Sequence, residues 1–336
     1  MIVVVTGANG FIGRHLVRDQ LSRGRVVRAV DQTVARLEEL KSMPGLELVK
    51  ADVRDERGME AVVAGTDVVF HLASAHLSVT ISEKDYWDVN HDATRRLVRL
   101  SREAGVRRFV YCSSVGVYGE VQHPPADEES PCRPDLVYEK TKLAAEQAVM
   151  EYAGATRYPV VIVRPVWVYG PGCPRTEKLF RAIGSGRFVF AGDGRAMRHC
   201  IYIDDMLAAF ELCANHPNAP GKVFIFGDHG AVPVRELVRN IADVIGAPPP
   251  KLSVPLWAFK PLCTVVERAF ALFRLEPPLS KRSLKFFTNN TSFDIGKARR
   301  ELGFEPRVAL RDGLFATYEV LRRSRTTIRP DSRASA

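Results

Sequence analysis

Short apolar runs alternate with amphipathic segments through the first half of this 336-residue chain. The runs cover 2–5, 26–31, 46–49, 67–72 and 108–112, and turn residues bound most of them. Between them, apolar positions recur at helical spacing, as in Leu16, Val17 and Leu21. Because strands that alternate with helices build parallel sheets, the pattern predicts a doubly wound α/β sheet whose ligands bind at the carboxyl ends of the strands.

Three glycines follow the first apolar run at a spacing of three: Gly7, Gly10 and Gly13. Residues without a side chain allow a tight turn and let a ligand approach the backbone closely. A helix that begins at such a turn offers unpaired N–H groups and the positive end of its dipole to a pyrophosphate. The spacing matches the common dinucleotide motif G-x-G-x-x-G only in part, so an ordinary loop is the alternative. The preceding strand and the following helix favour dinucleotide binding.

An acidic residue closes the second predicted strand. It is Asp31, eighteen residues beyond Gly13. A carboxylate at this position accepts hydrogen bonds from the ribose hydroxyls of adenosine and repels a 2′-phosphate, so the sequence predicts NAD in preference to NADP. The alternative is that Asp31 only opens a turn, and Arg28 or Arg36 would offset the repulsion of a phosphate.

A serine pair and a Tyr–Lys pair carry the candidate chemistry. Ser113 and Ser114 follow the strand at 108–112. Tyr138 and Lys142, four residues apart at the start of a predicted helix, share one helical face. A neighbouring ammonium favours the phenolate of a tyrosine, whose pKa is ordinarily about 10, so Tyr138 would take a proton from a substrate hydroxyl while Ser114 holds the same oxygen. Serines after a strand usually form turns, and Tyr–Lys pairs on helices are usually solvated. The order and spacing of the two pairs after the glycine turn favour a catalytic role instead.

These motifs resemble those of the extended branch of the short-chain dehydrogenase/reductase family, which includes the NAD-dependent epimerases and dehydratases. The resemblance rests on the turn T-G-x-x-G-x-x-G, on the stretches 113–119 and 164–172, and on the Y-x-x-x-K motif. It implies that Ser114, Tyr138 and Lys142 are catalytic, that Lys142 also binds the nicotinamide ribose, and that the protein is a homodimer.

The resemblance also implies where the cofactor lies. Asp52 and Val53 meet the adenine, the 71–74 stretch resembles the H-x-A-A segment that lines the cofactor, and Pro165 packs against the nicotinamide. Asn90, which reads locally as a helix N-cap, gains a supporting role. The cofactor-binding residues predicted in this way are Gly7, Gly10, Phe11, Ile12, Gly13, Asp31, Asp52, Val53, Leu72, Ala73, Tyr138, Lys142 and Pro165.

The regular alternation breaks after Pro171. An apolar run at 223–226 returns a strand to the sheet, so the two halves of the chain are interleaved. The sequence therefore predicts a Rossmann-type doubly wound parallel sheet with a smaller, interleaved C-terminal substrate lobe. The predicted boundaries are 1–170 for the NAD-binding domain, with 221–228 returning to its sheet, 171–322 for the substrate lobe and 323–336 for a basic, disordered tail.

Trp167 and Arg198 make opposite predictions about the substrate. Epimerases and dehydratases of the family usually have an asparagine at the position of Trp167, and this asparagine helps to bind the diphosphate of a sugar nucleotide. An indole offers a large apolar face instead. Arg198 matches an arginine that pairs with phosphate in epimerases, and its alternative role is a salt bridge.

The C-terminal half resembles 3β-hydroxysteroid dehydrogenase and dihydroflavonol-reductase relatives at 254–257 and 291–304. The leading hypothesis is therefore an NAD-dependent oxidoreductase that acts on a secondary alcohol or ketone of a bulky, partly apolar substrate of the steroid, isoprenoid or polyphenol kind. The alternatives are a nucleotide-sugar 4-epimerase or dehydratase with tightly bound NAD, and a non-catalytic dinucleotide sensor. A stripe at helical spacing in this half predicts a core helix, with a lipophilic pocket or a membrane surface as alternatives. Its members are Leu262, Val265, Val266, Ala269, Phe270 and Phe273.

Composition and charge indicate which classes of binding partner are expected. The net charge is +9, but five arginines and one aspartate lie in 322–333 and the remaining excess is unclustered, so nucleic-acid binding is not expected. Six scattered cysteines without C-x-x-C or Cys/His spacing predict reduced thiols and no metal site. Met1 leads directly into the first strand, and no apolar run approaches the roughly 18 residues of a membrane span. We therefore expect a cytoplasmic protein, with peripheral membrane contact left open.

Overall fold

The computed structural model describes residues 1–76, 81–272 and 281–327. These residues form two compact units. Unit 1 consists of Met1–Val166, Ile203–Gly227 and Phe293–Glu305, and unit 2 consists of the remaining described residues. The chain passes from one unit to the other at five points, so the smaller unit is interleaved with the larger one.

The strands form where β-branched and other apolar residues cluster, because such side chains fit a pleated, buried surface. The first strand is typical, since Val3, Val4 and Val5 are completely buried. The strands are β1 (Ile2–Thr6), β2 (Val26–Asp31), β3 (Leu46–Lys50), β4 (Val68–His71), β5 (Arg108–Cys112), β6 (Val160–Pro165), β7 (Trp167–Tyr169), β8 (Phe190–Ala191), β9 (Met197–Arg198), β10 (Cys200–Tyr202), β11 (Lys222–Phe226), β12 (Val232–Pro233) and β13 (Ser253–Val254).

The main sheet lies in unit 1 and has seven parallel strands in the order β11-β6-β5-β4-β1-β2-β3. The strand order reverses at β1, because β2 and β3 lie on one side of it and the later strands on the other. This topology confirms the predicted doubly wound Rossmann sheet. In such sheets the ligand binds where the order reverses, outside the carboxyl ends of the strands.

The helices connect these strands and carry amphipathic patterns. The longest helix of unit 1 is α5, which buries Ala145, Val149 and Ala153 at a spacing of four. The helices are α1 (Phe11–Ser22), α2 (Glu56–Val63), α3 (Glu83–Trp87), α4 (Ala93–Glu103), α5 (Val137–Thr156), α6 (Pro174–Gly184), α7 (Ile203–Asn215), α8 (Val234–Ile245), α9 (Leu256–Leu272), α10 (Lys281–Thr288), α11 (Gly296–Leu302) and α12 (Leu310–Thr327).

The apolar stripe predicted as core lies on α9, and the structure corrects part of that prediction. Val265 is largely exposed, whereas Phe259 and Cys263 are buried and pack with Ala191 in a small core cluster of unit 2. The helix is therefore rotated so that a neighbouring stripe faces inward. The side chains of Leu262 and Ala269 and the whole of Phe273 lie outside the described residues.

The C-terminal tail begins later than the sequence predicts. Helix α12 continues to Thr327, so residues 323–327 are helical and not disordered. The physical reason is local, because Glu319 pairs with Arg322 and Arg323 across one helical turn and such pairs stabilise a helix end. Residues 328–336 lie outside the described part of the chain.

Candidate active site

The glycine turn joins β1 to α1 and brings backbone against backbone. Gly7 has a φ of +69°, a conformation that L side chains rarely adopt. A Cβ on Gly13 would lie 2.1 Å from the carbonyl oxygen of Gly7, so only glycine fits there. Phe11 and Ile12 form the first turn of α1, where the backbone N–H groups have no partners within the helix. The turn therefore presents N–H groups and a helix N-terminus at the carboxyl edge of the sheet.

The same turn packs against the end of β4. A Cβ on Gly7 would lie 2.7 Å from the backbone nitrogen of Ala73 and 2.8 Å from the carbonyl carbon of Leu72. The two segments are adjacent because β1 and β4 pair in register, with Thr6 opposite His71. The structure thus brings together two stretches that the sequence predicts to bind the cofactor.

Asp31 ends β2 beside the glycine turn. One of its carboxylate oxygens accepts a hydrogen bond from the backbone N–H of Asn9 (3.0 Å), and the other accepts one from Thr33 (3.2 Å). The carboxylate therefore also organises the local turn, as the alternative interpretation proposes. Arg28 is directed elsewhere, because it pairs with Glu47 and donates to carbonyl groups at the end of α2.

Asp52 follows β3, the neighbour of β2. Its carboxylate pairs with Arg54 (2.6 Å) and accepts a hydrogen bond from the amide of Gln32 (2.8 Å). The hydrogen bond from Arg54 lowers the pKa of Asp52 below its ordinary value. Val53 is buried in the core of unit 1. Acidic side chains thus end two adjacent strands at this edge of the sheet.

A chain of hydrogen bonds through His71 stabilises the end of β4. The backbone N–H of Ala73 donates to the Thr6 hydroxyl (3.2 Å), which donates to His71 Nδ1 (2.7 Å). His71 Nε2 then donates to the Thr94 hydroxyl (2.9 Å), and that hydroxyl donates to the carbonyl of Asn90 (2.8 Å). Burial, together with the nearby positive charge of Lys142, lowers the pKa of His71 to about 3, so the ring is neutral, as this order of donors requires.

Asn90 does not cap a helix, which corrects the local interpretation of the sequence. It lies in a π-helical turn before α4, and its side chain is buried. The side-chain oxygen accepts from the backbone of Ala75 (2.8 Å), and the side-chain nitrogen donates to the Thr141 hydroxyl (3.0 Å). Thr141 in turn donates to the carbonyl of Tyr138 (2.9 Å). Asn90 therefore ties the loop after β4 to the first turns of α5.

Ser113 and Ser114 lie at the end of β5, as predicted, but in different environments. Ser113 is buried, and among the described residues its hydroxyl has no hydrogen-bond partner. Ser114 is half-buried, and its hydroxyl oxygen accepts from the backbone N–H of Gly116 (3.0 Å) at the start of a 3-10 turn. The hydroxyl proton of Ser114 makes none of these bonds and remains available as a donor.

Tyr138 and Lys142 lie one turn apart in the first two turns of α5, and both are buried. The Lys142 ammonium donates to the carbonyl of Cys112 at the end of β5 (2.8 Å) and lies 4.6 Å from the centre of the Tyr111 ring. Burial lowers the pKa of Lys142 to about 8. The Tyr138 ring packs edge-on against His76, with ring centres 5.2 Å apart. The lysine is therefore held at the carboxyl end of the strand that carries the serines.

A buried ion pair holds α5 against β6, and the sequence-based analysis missed it. Glu146, one turn beyond Lys142, pairs with Arg164 at 2.6 Å, and the side chains are only 3% and 7% exposed. Arg164 also donates to the Tyr118 hydroxyl (2.7 Å). Pro165, the next residue, is buried at the end of β6. The sequence signal was a glutamate on the buried face of α5, beside Ala145 and Val149.

Trp167 and Arg198 belong to unit 2, and their side chains both contact the ring of Phe286. Trp167 packs edge-on against Phe286 at a centre-to-centre distance of 5.9 Å, and the Arg198 guanidinium lies 5.0 Å from the centre of the same ring. Arg198 is buried and donates to the carbonyls of three neighbours and to one hydroxyl. These four acceptors belong to Met197, Lys285, Asn289 and Thr291.

Within residues 1–76, 81–272 and 281–327, no group of three or more His, Cys, Asp or Glu side chains could hold a metal ion. None of the helices in these ranges combines the length and the apolar character that a bilayer crossing requires.

Residues 3–227 match the family described as the NAD dependent epimerase/dehydratase family. The chain belongs to this family. A 2-alkyl-3-oxoalkanoate reductase from Stenotrophomonas maltophilia is 30% identical over 94% of this chain and 97% of its own length. A 3 beta-hydroxysteroid dehydrogenase/Delta 5-->4-isomerase from Mycobacterium tuberculosis is 30% identical over 95% of this chain and 88% of its own length. Among solved structures, MoeE5 in complex with UDP-glucuronic acid and NAD has a TM-score of 0.77 and 29% identity, with 96% of this chain and all of MoeE5 covered.

Proposed function

We propose that this protein is an NAD-dependent oxidoreductase that moves a hydride between nicotinamide and a secondary alcohol or ketone of a bulky, partly apolar substrate. The observation that carries the proposal is the arrangement at the end of β5. Lys142 is fixed there by the carbonyl of Cys112, Ser114 follows two residues after the end of this strand, and Tyr138 lies one turn before Lys142 on α5. A phenol, an ammonium and a hydroxyl are the groups that proton transfer at an alcohol oxygen requires.

The glycine turn fits NAD. A Cβ on Gly7 or Gly13 would collide with backbone atoms, so this part of the site is shaped for close approach to a pyrophosphate. NAD, when bound, supplies or accepts the hydride. Gly7, Gly10, Phe11, Ile12 and Gly13 would bind its pyrophosphate, and the resemblance assigns the rest of the cofactor surface to Asp31, Asp52, Val53, Leu72, Ala73 and Pro165.

Tyr138 acts as the acid or base in this proposal. Its phenol takes the proton from a substrate hydroxyl during oxidation and returns it during reduction. Ser114 donates a hydrogen bond to the same substrate oxygen. Lys142, one turn away, favours the phenolate through its positive charge, which it holds below a pH of about 8 because burial lowers its pKa to that value.

The surroundings of Trp167 support an apolar substrate. Its indole and the Phe286 ring form an aromatic surface in unit 2, where an asparagine of the nucleotide-sugar enzymes would present an amide. Arg198 already donates to four acceptors of unit 2, so it cross-links that unit through carbonyl and hydroxyl groups and not through the salt bridge that the sequence offers as its alternative role. The hydroxysteroid dehydrogenase and the oxoalkanoate reductase described above agree with a substrate of this kind.

A nucleotide-sugar 4-epimerase or dehydratase with tightly bound NAD is the second candidate. The observation in its favour is the charge of Arg198, because the described residues provide only carbonyl and hydroxyl partners for it and no carboxylate. Burial lowers the pKa of Arg198 to about 10, but the group is still cationic at neutral pH and could pair with a phosphate. MoeE5 with its UDP-glucuronic acid agrees with this candidate.

A substrate panel separates the two candidates. The protein is incubated with NAD and, in turn, with a 3β-hydroxysteroid, a 2-alkyl-3-hydroxy acid, UDP-glucose and UDP-glucuronic acid. We expect net NADH formation, followed by absorbance, with a steroid or hydroxy acid and none with the sugars. Interconversion of a UDP-sugar without net NADH, followed by chromatography, would overturn the first candidate and establish the second.

Removing the Asp31 carboxylate should change the choice of cofactor. Because a hydrogen bond to a charged group contributes about 1.5–3 kcal/mol, Asp31→Asn should weaken NAD binding by roughly 10- to 100-fold and strengthen NADP binding. Calorimetric titration with each nucleotide measures both constants. Glu60→Gln, the same charge change at an exposed position of α2, is the control and should alter neither constant. An unchanged NAD/NADP ratio in Asp31→Asn would restrict Asp31 to its role in the turn.

A homodimer and a cytoplasmic location stay predictions from the sequence and its resemblance to the family.

A further inference from the structure

Helix α9 and the residues before it expose an unusual amount of apolar surface. Trp257 is 79% exposed, Leu252 66% and Val265 65%. Other large apolar side chains in the described residues are exposed to a smaller extent, as at Phe315 (54%) and Val320 (49%). The three most exposed ones therefore lie within fourteen consecutive positions.

The exposed residues of α9 lie on one helical face. Trp257, Pro261 and Val265 are all exposed and are spaced by four, which places them one above another along the helix. Phe259 and Cys263 on another face are buried in the core cluster of unit 2. The inward face thus holds the helix in place, and the outward face has no role in the core.

The surrounding sequence is strongly basic. Residues 251–285 contain seven lysines and arginines and two glutamates, a net excess of five positive charges. Such a segment attracts an anionic lipid surface, and the attraction weakens as salt screens it. Tryptophan is the side chain that favours the boundary between headgroups and acyl chains, because its ring is apolar and its N–H is polar.

We propose that Leu252, Trp257, Pro261 and Val265 form a docking surface for an anionic phospholipid membrane, with α9 lying in the plane of the interface. A second copy of this chain fits the surface less well. In a twofold dimer the same surface meets itself, so two basic segments would be brought together and would repel each other. A membrane of opposite charge supplies both an apolar layer and the counter-charges.

The test is co-sedimentation of the full chain with vesicles. One set consists of phosphatidylcholine and the other of equal parts of phosphatidylcholine and phosphatidylglycerol. We expect binding to the anionic vesicles, weakened by salt, and little binding to the neutral ones. Trp257→Ser/Val265→Ser should weaken that binding by about 10- to 100-fold, because both side chains lose their burial in the interface.

The control is Phe315→Ser/Val320→Ser, which removes two exposed apolar side chains of α12 and should leave vesicle binding unchanged. All four substitutions lie on the surface, and thermal unfolding checks that both variants are folded. Equal binding of the α9 variant and the original chain would overturn the proposal. So would a concentration-dependent dimer in the ultracentrifuge that Trp257→Ser/Val265→Ser abolishes, since the surface would then join two copies.

Discussion

Tyr138→Phe should lower turnover by about 10²- to 10⁴-fold while NAD still binds with nearly unchanged affinity. The substitution removes only the phenolic oxygen, which in our proposal accepts and returns the proton of the substrate hydroxyl. The ring itself remains and can keep its edge-on contact with His76. Steady-state kinetics on the substrate identified by the panel, together with calorimetric NAD titration, measures the two effects separately.

Tyr152→Phe is the matched control, because Tyr152 lies on the same helix and packs against the core of unit 1. The turnover of the Tyr152→Phe variant should stay within about twofold of that of the original chain, because the lost hydroxyl takes no part in the proposed proton transfer. An active Tyr138→Phe variant with normal NAD binding would contradict catalysis by Tyr138. That result would assign the proton transfer to another group, whereas NAD binding without turnover in the original chain would favour the non-catalytic dinucleotide sensor.

Glu146→Gln should lower the free energy of unfolding by about 3–5 kcal/mol, because it leaves the buried guanidinium of Arg164 without a counter-charge. The two side chains are almost completely buried, and the guanidinium makes several charge-assisted hydrogen bonds to the carboxylate. Urea unfolding of the variant and of the original chain measures the difference in the free energy of unfolding. The dependence of this free energy on urea concentration should be the same for both proteins.

Two further changes distinguish the loss of a buried counter-charge from the loss of an exposed ion pair. Glu103→Gln removes an exposed pair with Arg99 on α4 and should cost only about 0.3–0.5 kcal/mol. Glu146→Leu/Arg164→Met replaces both charges and should be more stable than Glu146→Leu alone, because no charge is then buried unpaired. A cost for Glu146→Gln as small as that for Glu103→Gln would show that water reaches Arg164 in solution.

Most of the sheet could be predicted from the sequence because six of its seven strands are local apolar runs, whereas β6 (Val160–Pro165) was not predicted. The run from Ile2 to Thr6 ends at Gly7, and the run from Val26 ends at Asp31, so the residues that stop each strand are also those placed at the ligand edge. Tyr138 and Lys142 could be predicted for the same reason, since one helical turn relates them.

The interactions across the sheet could not be predicted in this way. His71 bonds to Thr6, which is distant in sequence and becomes its neighbour only because β1 lies beside β4. Asparagine often caps helices, so the sequence suggests that role for Asn90. The π-helical turn around Asn90 instead directs its side chain into the interior of unit 1. Glu146 and Arg164 lie on different elements, and nothing in their local sequence pairs them.

The order in which the chain is made has a consequence for unit 1. Its last segment, Phe293–Glu305, comes after most of unit 2 in the sequence. Within unit 1 the Phe304 ring packs edge-on against Phe226 (4.9 Å between ring centres), and Glu301 pairs with Lys222 (2.7 Å). The edge strand β11 therefore gains these two contacts only after residues 301–304 have been synthesised. A ribosome must release nearly the whole protein before the nucleotide-binding unit is complete, and until then the apolar side of β11 is exposed to other chains and to chaperones.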